Sequence, residues 1–321
     1  MPELPEVQTV VDDLNRKVVG RKITGVWLDW PKMVKDPLDQ SRNRIAHKHV
    51  AEFEKSLKGK KILKAARKAK NILIYLSAHP SRKATADKGG LLLLIHQKMT
   101  GHMLVGRWNV KCQRSNVKCK VIPLEPRAAV TDPYNRFIHL ILYLDDGRML
   151  ALSDLRKFAK AILGPVEQIE NLPELKNLGP DALDSKLTYP KFAEIIKNEN
   201  RKIKQVLMDQ EVIAGIGNIY SDDILWTAKI HPFRPANKLS EKELKSLYQA
   251  MRKVLEKAVK LRGTSTSDFR DTAGEKGKYT DERIVYQRED EPCPRCKTKI
   301  KRVKLGGRSA HYCPKCQVLT R

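Results

Sequence analysis

Hydrophobic residues near the N-terminus recur at the spacing of an amphipathic helix. The stripe follows i, i+3, i+4 steps and consists of Val7, Val10, Val11, Leu14 and Val18. It ends at Gly20, and Pro5 stands where a helix tolerates proline best, in the first turn. The pattern predicts a terminal helix whose start fixes the position of the N-terminus.

From residue 23 to about residue 152, short β-type apolar runs replace the helical period. They predict strands over residues 23–28, 72–76, 91–96, 137–144 and 149–152. Asp145-Asp146-Gly147 is typical of a hairpin turn between the last two. Residues 33–61 form a lysine-rich, partly helical excursion in this prediction, and residues 114–131 form a basic loop. The first domain is therefore expected to be a terminal helix with a β-sandwich or barrel.

Beyond a predicted linker, the pattern becomes helical. Phe192, Ile195, Ile196 and Ile203 fit one helix, and residues 204–208 begin another. Two glycines, Gly215 and Gly217, then interrupt the pattern before a helix that runs through residue 225, which predicts a helix–turn–helix arrangement. Asn218 and the amides near it would lie at a helix N-terminus, where phosphate binds well. A further helix is predicted from residue 241 to about residue 261, and a mobile loop over residues 263–279 that could close over a ligand.

The chain has 321 residues and a net charge of +26, with the excess spread along the whole length. The length favours two domains, and the charge favours a polyanion partner, most simply nucleic acid. A generally basic proteome or a membrane-surface protein would share this charge. The apolar runs are shorter than a transmembrane helix, and the first residues do not form a signal peptide. We therefore expect a nucleic-acid partner and no membrane.

Four of the six cysteines form two Cys-x-x-Cys pairs, which are Cys293 with Cys296 and Cys313 with Cys316. This spacing is typical of a tetrahedral Cys₄ zinc site on a β-hairpin, and it favours a metal site in a reducing compartment over a disulfide scaffold. Iron or disulfides fit less well. Arg308 would lie at the tip of the hairpin, where it could contact a phosphate or be a solvated turn residue. No function is assigned to Cys112 and Cys119.

The N-terminus itself carries candidate chemistry. Removal of Met1 would leave Pro2 with a free secondary amine, and an α-amino group titrates at about 7.7–8.0 against about 10.4 for lysine. A neutral amine can attack a carbonyl-like carbon and form a Schiff base. Glu3 and Glu6 could supply the proton transfers. The alternative is an ordinary helix start with acidic residues favoured by the helix dipole.

Three further positions have a functional and an ordinary interpretation. Lys70, just before a strand, is either a solvated charge or an acid/base group near the Pro2 amine. Met99, in the motif that begins at His96, is either a core residue or a wedge into a base stack. Arg156 and Phe158 combine a cation and a ring, which suits the gap left by an extruded nucleotide.

Together these motifs resemble the formamidopyrimidine-DNA glycosylase family over nearly the full length. The resemblance rests on residues 2–7, 69–70, 96–101, 154–158, 208–210, 215–220, 230–232 and 285–286 and on the zinc hairpin that ends at residue 313. It implies an α+β, multidomain fold. This has an N-terminal β-sandwich with a terminal helix (1–162), a linker (163–180), a helix–two-turn–helix domain with a lesion-capping loop (181–284) and a zinc finger (285–321). It also implies a bifunctional DNA glycosylase and AP lyase that acts on oxidised purines in damaged double-stranded DNA, as a monomer in the bacterial cytoplasm.

The resemblance also implies roles for individual residues. Pro2 resembles the Schiff-base nucleophile, Glu3 the acid that opens the sugar ring, and Lys70 the lysine of base recognition and β-elimination. Arg308 resembles the phosphate-binding arginine of δ-elimination. DNA contacts are expected from the residues that match the remaining motifs: His96, Met99, Arg156, Phe158, Lys204 and Asn218. Glu6 is a candidate for catalytic support, and one Zn²⁺ ion is the expected cofactor.

The chain departs from the family at two motifs. Gln97-Lys98 replaces the usual Leu-Gly before the methionine, and Asp154-Leu155-Arg156-Lys157-Phe158-Ala159 replaces Asp-Pro-Arg-Arg-Phe-Gly. With two insertions and extra lysines, these departures leave the lesion and opposite-base preferences open. Two alternatives remain: an endonuclease VIII-like glycosylase for oxidised pyrimidines, and a non-enzymatic zinc-finger DNA-binding protein. Leu4 and the loop at residues 263–279 argue against the first, and the Pro2-Glu3 terminus argues against the second.

Overall fold

The computed structural model describes residues 1–38, 47–78, 90–112, 119–266 and 268–319. The chain divides into two compact units. The sheet unit consists of Met1–Pro2, Glu6–Lys176 and Thr264–Gly277, and the helical unit of Glu3–Pro5, Asn177–Gly263 and Lys278–Arg321. Among the described residues, no helix is both long and apolar enough to cross a membrane.

The sheet unit contains two five-stranded sheets and most of the first helix, α1 (Leu4–Lys17). Its strands are β1 (Ile23–Leu28), β2 (Val34–Lys35), β3 (Ile62–Lys68), β4 (Asn71–Leu76), β5 (Leu91–His96), β6 (His102–Cys112), β7 (Cys119–Glu125), β8 (Ile138–Leu144), β9 (Met149–Ser153) and β10 (Lys160–Pro165). The strand orders are β1-β8-β9-β6-β7 and β2-β10-β5-β4-β3. Only the short β2–β10 pair among the described strands is parallel.

One apolar core is shared by α1 and both sheets. It includes Val7 and Leu14 of α1, Leu142 of one sheet, and Ile74 and Ile95 of the other. Since successive strand residues point to opposite faces, each sheet gives alternate side chains to this core. The predicted α+β fold with a β-sandwich and a terminal helix is confirmed.

Short helices of the sheet unit are α2 (His47–Leu57), α3 (Arg127–Thr131), α4 (Val166–Glu170) and α5 (Pro173–Lys176). The helical unit contains α6 (Tyr189–Lys197), α7 (Ile203–Met208), α8 (Asn218–Ala228), α9 (Glu241–Lys260) and a hairpin of β11 (Lys301–Leu305) and β12 (Arg308–Tyr312). A capping box starts α9, because the Ser240 hydroxyl accepts the Glu243 N–H while the Glu243 carboxylate accepts the Ser240 N–H. Around α8, an apolar core of its own holds the unit together.

Several sequence expectations need correction. The predicted basic loop at residues 114–131 instead includes β7 and α3, and its first residues lie outside the described ranges, as does part of the excursion at residues 33–61. Ile203 starts α7 and does not extend the helix of Phe192. Cys112 and Cys119, to which the sequence assigned no function, form a disulfide between β6 and β7.

The described residues of the predicted mobile loop make several buried contacts. Its central part, residues 264–277, belongs to the sheet unit. Thr272 is fully buried, where its hydroxyl donates to Asp13 and its carbonyl accepts from the N–H of Val105. Arg270 is also buried and pairs with Asp132 at 2.7 Å. These contacts anchor the segment to α1, β6 and the turn before β8.

Candidate active site and nucleic-acid interface

The N-terminal residues are held by backbone groups. Met1 is exposed, whereas Pro2 and Glu3 are buried. In the helical unit, the Leu4 N–H donates to the carbonyl of Gly215 at 3.0 Å. The Glu3 carboxylate accepts the N–H groups of Gly217 at 2.7 Å and Ile219 at 2.9 Å. Glu3 thus occupies the anion position at the N-terminus of α8.

Glycine is required at both ends of this arrangement. Gly215 has a φ of +107°, and a Cβ there would lie 2.6 Å from Leu4 Cδ1. At Gly217, a Cβ would lie 2.4 Å from Glu3 Cδ. Gln210 fixes the turn between α7 and α8, since its amide donates to the carbonyl of Ile216 and accepts the N–H of Gly215. The glycine-rich turn is therefore shaped to receive residues 3–4.

The helix N-terminus at Asn218 has no free amides for a phosphate among those predicted to bind one. The amides predicted to bind phosphate there are already hydrogen-bonded to Glu3. The side-chain oxygen of Asn218 is buried without a hydrogen-bond partner in the described structure. Its side chain also interacts with Tyr286, whose pKa is raised by burial. A phosphate contact by Asn218 would use its side chain and not the α8 amides.

Glu6 has a structural contact. Its carboxylate is buried and accepts the N–H of Thr264 at 2.6 Å, within the sheet unit. It therefore ties the start of the 264–277 segment to α1. This contact explains the burial of Glu6 without catalytic support.

Lys70 lies in the two-residue turn between β3 and β4 and is buried. Ala69 adopts a φ of +53°, and the Arg67 guanidinium ties the turn to α1 by donating to the Ala69 carbonyl and to Gln8. Burial, together with the charges of Lys98, Lys160 and Lys70, lowers the pKa of the nearby His96 to about 3. His96 accepts the Lys98 N–H at its Nδ1, so its ring is neutral at pH 7.

The segment at residues 97–101, which contains Met99, and the turn that carries Phe158 are joined through a buried carboxylate. Asp154 accepts the Thr100 hydroxyl and, at 2.7 Å, the N–H of Ala159. The Thr100 hydroxyl also accepts the N–H of Arg156. The structure thus brings the two predicted wedge motifs together within the sheet unit.

At the surface, the turn presents an exposed aromatic ring. Phe158 is 52% exposed, and the Arg156 guanidinium lies 4.7 Å from the ring centre. On the other side of the turn, the Lys157 ammonium stacks over Trp30 at 4.4 Å. An exposed ring with a guanidinium against it, in a turn that a second cation–π contact ties to Trp30, is suited to stacking against a base.

Lys204 differs most from its sequence prediction. It is fully buried, and its ammonium lies 2.5 Å from the Asp222 carboxylate and 3.2 Å from the Ser221 hydroxyl. A lysine in this position cannot contact phosphate without breaking a buried ion pair. The predicted DNA contact is therefore replaced by an internal one.

The four Cys-x-x-Cys cysteines converge. Their sulfur atoms all lie within 4.8 Å of one another, and the Trp226 indole donates to the Cys293 sulfur at 3.4 Å. Hydrogen bonds from Thr298 lower the pKa of Cys296 to about 6, which favours the thiolate that binds metal. Burial raises the pKa of Cys313 to about 12, an effect that a bound cation reverses. Four converging sulfurs fit one tetrahedral, structural zinc ion.

Arg308 begins β12 and is exposed at the hairpin tip. Gly306 and Gly307 form the turn before it, both with positive φ. The tip lies against α7, because a Cβ on Gly306 would come within 2.5 Å of the Gln205 amide.

Some important residues were missed by sequence reasoning. Asp222, His311 and Trp226 fix the zinc hairpin, and Gln210 shapes the glycine-rich turn. The motifs contain Gln210 and His311, yet only the fold shows their partners.

A sandwich domain, a helix–turn–helix and a four-cysteine hairpin together define a class of zinc-containing DNA-binding proteins. Family models match in that order: the formamidopyrimidine-DNA glycosylase N-terminal domain over residues 1–161, its H2TH domain over residues 178–270, and the zinc finger found in FPG and IleRS over residues 290–318.

Relatives and solved structures agree with these matches. The formamidopyrimidine-DNA glycosylases of Pelotomaculum thermopropionicum and Chloroflexus aggregans are each 37% identical and cover 99% of both chains. A complex of Lactococcus lactis Fpg with abasic-site DNA has a TM-score of 0.78 and 29% identity, covering 99% of this chain and 100% of that one. The chain belongs to the formamidopyrimidine-DNA glycosylase family. It is an enzyme of a DNA glycosylase family with AP lyase activity, and it has one structural zinc site.

Proposed function

We propose that this enzyme removes oxidised purines, such as 8-oxoguanine and formamidopyrimidines, from double-stranded DNA and then cleaves the strand by β,δ-elimination. The observation that carries the proposal is the buried Pro2-Glu3 terminus, with the Glu3 carboxylate fixed by the amides of Gly217 and Ile219. A terminus needed only to start a helix requires neither this burial nor a glycine at residue 217.

The first steps of the reaction use the terminal amine. After Met1 is removed, the Pro2 nitrogen forms a bond to C1′ of the damaged nucleotide as the bond from C1′ to the base breaks. The electron pair of that bond leaves with the base, which takes a proton from water, and the proton of the amine passes to the Glu3 carboxylate. The C1′–O4′ bond then opens, its electron pair goes to O4′, and Glu3 supplies the proton. The product is an iminium between Pro2 and the open sugar.

Elimination follows from the iminium. Loss of a proton from C2′ breaks the bond to the 3′ phosphate, and Lys70, buried beside the β4 start, is the proposed proton carrier and base-recognition group. A second elimination releases the 5′ phosphate, for which the exposed Arg308 supplies the cation that holds phosphate. Hydrolysis of the imine then restores Pro2.

DNA contacts come from separate surfaces in this proposal. The exposed Phe158, with Met99 and Arg156, fills the gap left by the extruded nucleotide. His96 contributes as a neutral donor or acceptor, and Asn218 through its side chain. The bacterial sources of the relatives support action in the bacterial cytoplasm, and the monomeric state stays a prediction.

Borohydride trapping tests this function. Reduction during reaction with an 8-oxoguanine duplex should produce a stable protein–DNA adduct that peptide mapping places on Pro2. The matched control keeps extra residues ahead of Pro2, so that its nitrogen becomes a tertiary amide, and it should form no adduct. An adduct on Lys70, or none with a folded zinc-loaded enzyme, would remove the proposed mechanism.

A second duplex tests the substrate class. One related structure is a complex of Lactococcus lactis Fpg with oxidised-pyrimidine DNA, which makes the pyrimidine alternative a necessary comparison. Single-turnover excision should be faster for 8-oxoguanine than for thymine glycol. The reverse order would favour the endonuclease VIII-like function.

A further inference from the structure

A buried carboxylate connects three elements of the helical unit. Asp222 lies in α8 and uses both of its oxygens. Oδ1 accepts the Lys204 ammonium of α7 at 2.5 Å, and Oδ2 accepts the backbone N–H of His311 of β12 at 3.0 Å. The same oxygen lies 2.9 Å from His311 Nδ1. The His311 ring also packs edge-on against Tyr286 at 5.1 Å.

These contacts hold the strand that carries Arg308. His311 is three residues after Arg308 in β12 and two before Cys313. The base of the hairpin is held separately, through the zinc site and through Gln317, which donates to the Ile230 carbonyl at 2.8 Å. Between the zinc ligands and the tip, the Asp222 contact therefore joins β12 to α8.

We propose that Asp222 is a positioning residue that sets the place of Arg308 for δ-elimination. This inference rests on the proposed function, since it concerns the phosphate contact of that reaction. Zinc fixes the base of the hairpin, whereas Asp222 fixes the direction of β12. Lys204 pairs with Asp222 inside the protein at 2.5 Å, so the predicted phosphate-contact lysine acts indirectly through the hairpin.

The expected effect of Asp222 on the rate of δ-elimination follows from how far Arg308 would be displaced without it. An arginine holds phosphate in a fork of two parallel hydrogen bonds, and that geometry tolerates little displacement. A misplacement of about 1 Å costs on the order of a hundredfold in rate. Loss of the Asp222–His311 contact should thus reduce δ-elimination specifically, because Pro2 and Lys70 belong to other elements.

The experiment measures β- and δ-elimination products separately on abasic DNA in the zinc-loaded full chain. Asp222→Leu combined with Lys204→Met removes both the ion pair and the acceptor of the His311 N–H, without leaving a buried charge. It should lower the ratio of δ to β product by about tenfold to a hundredfold, the range that such a displacement predicts. Zinc content and borohydride trapping on Pro2 should stay within about twofold of wild type.

Two further variants separate positioning from folding. His311→Asn retains a donor near Oδ2 and should keep most of the δ product, whereas His311→Leu should lose it. Adding Arg308→Ala to the Asp222 variant should cause no further loss, because both changes remove the same contact.

Three results would overturn the inference: an unchanged product ratio, losses that add to those of Arg308→Ala, or a parallel loss of zinc and trapping. If the wild-type enzyme forms no adduct, the proposed function fails, and the affinity for duplex DNA then tests the inference about Asp222. In that case the Asp222 variant and Arg308→Ala should weaken duplex binding equally and without additivity, and any other pattern rejects the inference.

Discussion

The contact between Gly217 and Glu3 gives a sharp test of the terminus. In Gly217→Ala, the new Cβ would lie 2.4 Å from Glu3 Cδ and 2.5 Å from Oε1, where ordinary contacts begin near 3.4 Å. The backbone itself accepts alanine, because Gly217 has a φ of −134°. The carboxylate must therefore move by about 1 Å, the distance by which the clash exceeds normal packing.

That displacement has a stability cost and a rate cost. It breaks or lengthens the two short hydrogen bonds to the amides of Gly217 and Ile219. Hydrogen bonds to a charged group contribute about 1.5–3 kcal/mol each, so partial rehydration of Glu3 leaves a loss of about 2–4 kcal/mol in the free energy of unfolding. Displacing the group that takes up the proton of the Pro2 amine by about 1 Å should slow base excision on the order of a hundredfold.

Urea unfolding and single-turnover excision of 8-oxoguanine measure the two costs. Gly25→Ala is the matched control, since its Cβ would meet only Tyr143 at an ordinary 3.4 Å. In a Glu3→Ala background, Gly217→Ala should cause little further loss of rate, because the displaced group is already gone. An excision rate of Gly217→Ala equal to that of the wild type, or a full second loss of rate in the Glu3→Ala background, would refute a catalytic role for the Glu3 carboxylate.

Four other predictions concern separate features. Cys296→Ser should lose the metal and weaken DNA binding, and unchanged metal content in the purified variant would contradict the zinc assignment. Arg308→Ala should make the log–log salt dependence of duplex binding shallower by about one unit, equally for damaged and intact DNA, and an unchanged slope would mean that Arg308 does not touch the backbone. Phe158→Ala should slow 8-oxoguanine excision much more than cleavage at a pre-formed abasic site, which needs no base extrusion, and equal slowing would reject the wedge. Burial lowers the pKa of His102 to about 4 from an ordinary 6.5. Its contribution to the free energy of unfolding is therefore present above pH 6.5 and is lost as the pH falls, and this loss reaches about 3 kcal/mol at pH 4. His102→Asn should therefore flatten the acid side of the stability profile, measured by urea unfolding between pH 7 and about 4, and a profile identical to wild type would reject this.

The strands that sequence reasoning found are those with mainly apolar runs. Residues 91–95 are all apolar, and the four consecutive residues 92–95 are buried, so both faces of β5 need apolar side chains. The strands that it missed carry charges. β3 and β7 form sheet edges, and β7 contains Pro123, which an edge strand tolerates. At such edges, alternation is masked by lysines and arginines whose stems cover apolar surface.

For the site, sequence reasoning gave residue types but not their partners. Pro2, Glu3 and the four cysteines were predicted because short sequence motifs indicate their chemistry. The partners of Glu3 are 214 and 216 residues away in the chain, and those of Asp222 include a histidine 89 residues away. Only packing brings such groups together, so Glu6 and Lys204 received functional roles that their observed contacts do not need.

The basic residues show why net charge alone cannot map a DNA surface. Lys204, Arg270 and Lys160 are buried, and each pairs with a carboxylate inside the protein. Arg308 and Arg156 are exposed, and among the described residues neither is in an ion pair. Because counterion release counts only the cations that reach phosphate, the salt slope must be smaller than the +26 charge suggests. The buried cations instead hold in place the elements that carry the exposed cations. Substituting a buried cation should therefore change the arrangement of the interface more than it changes the long-range attraction of DNA.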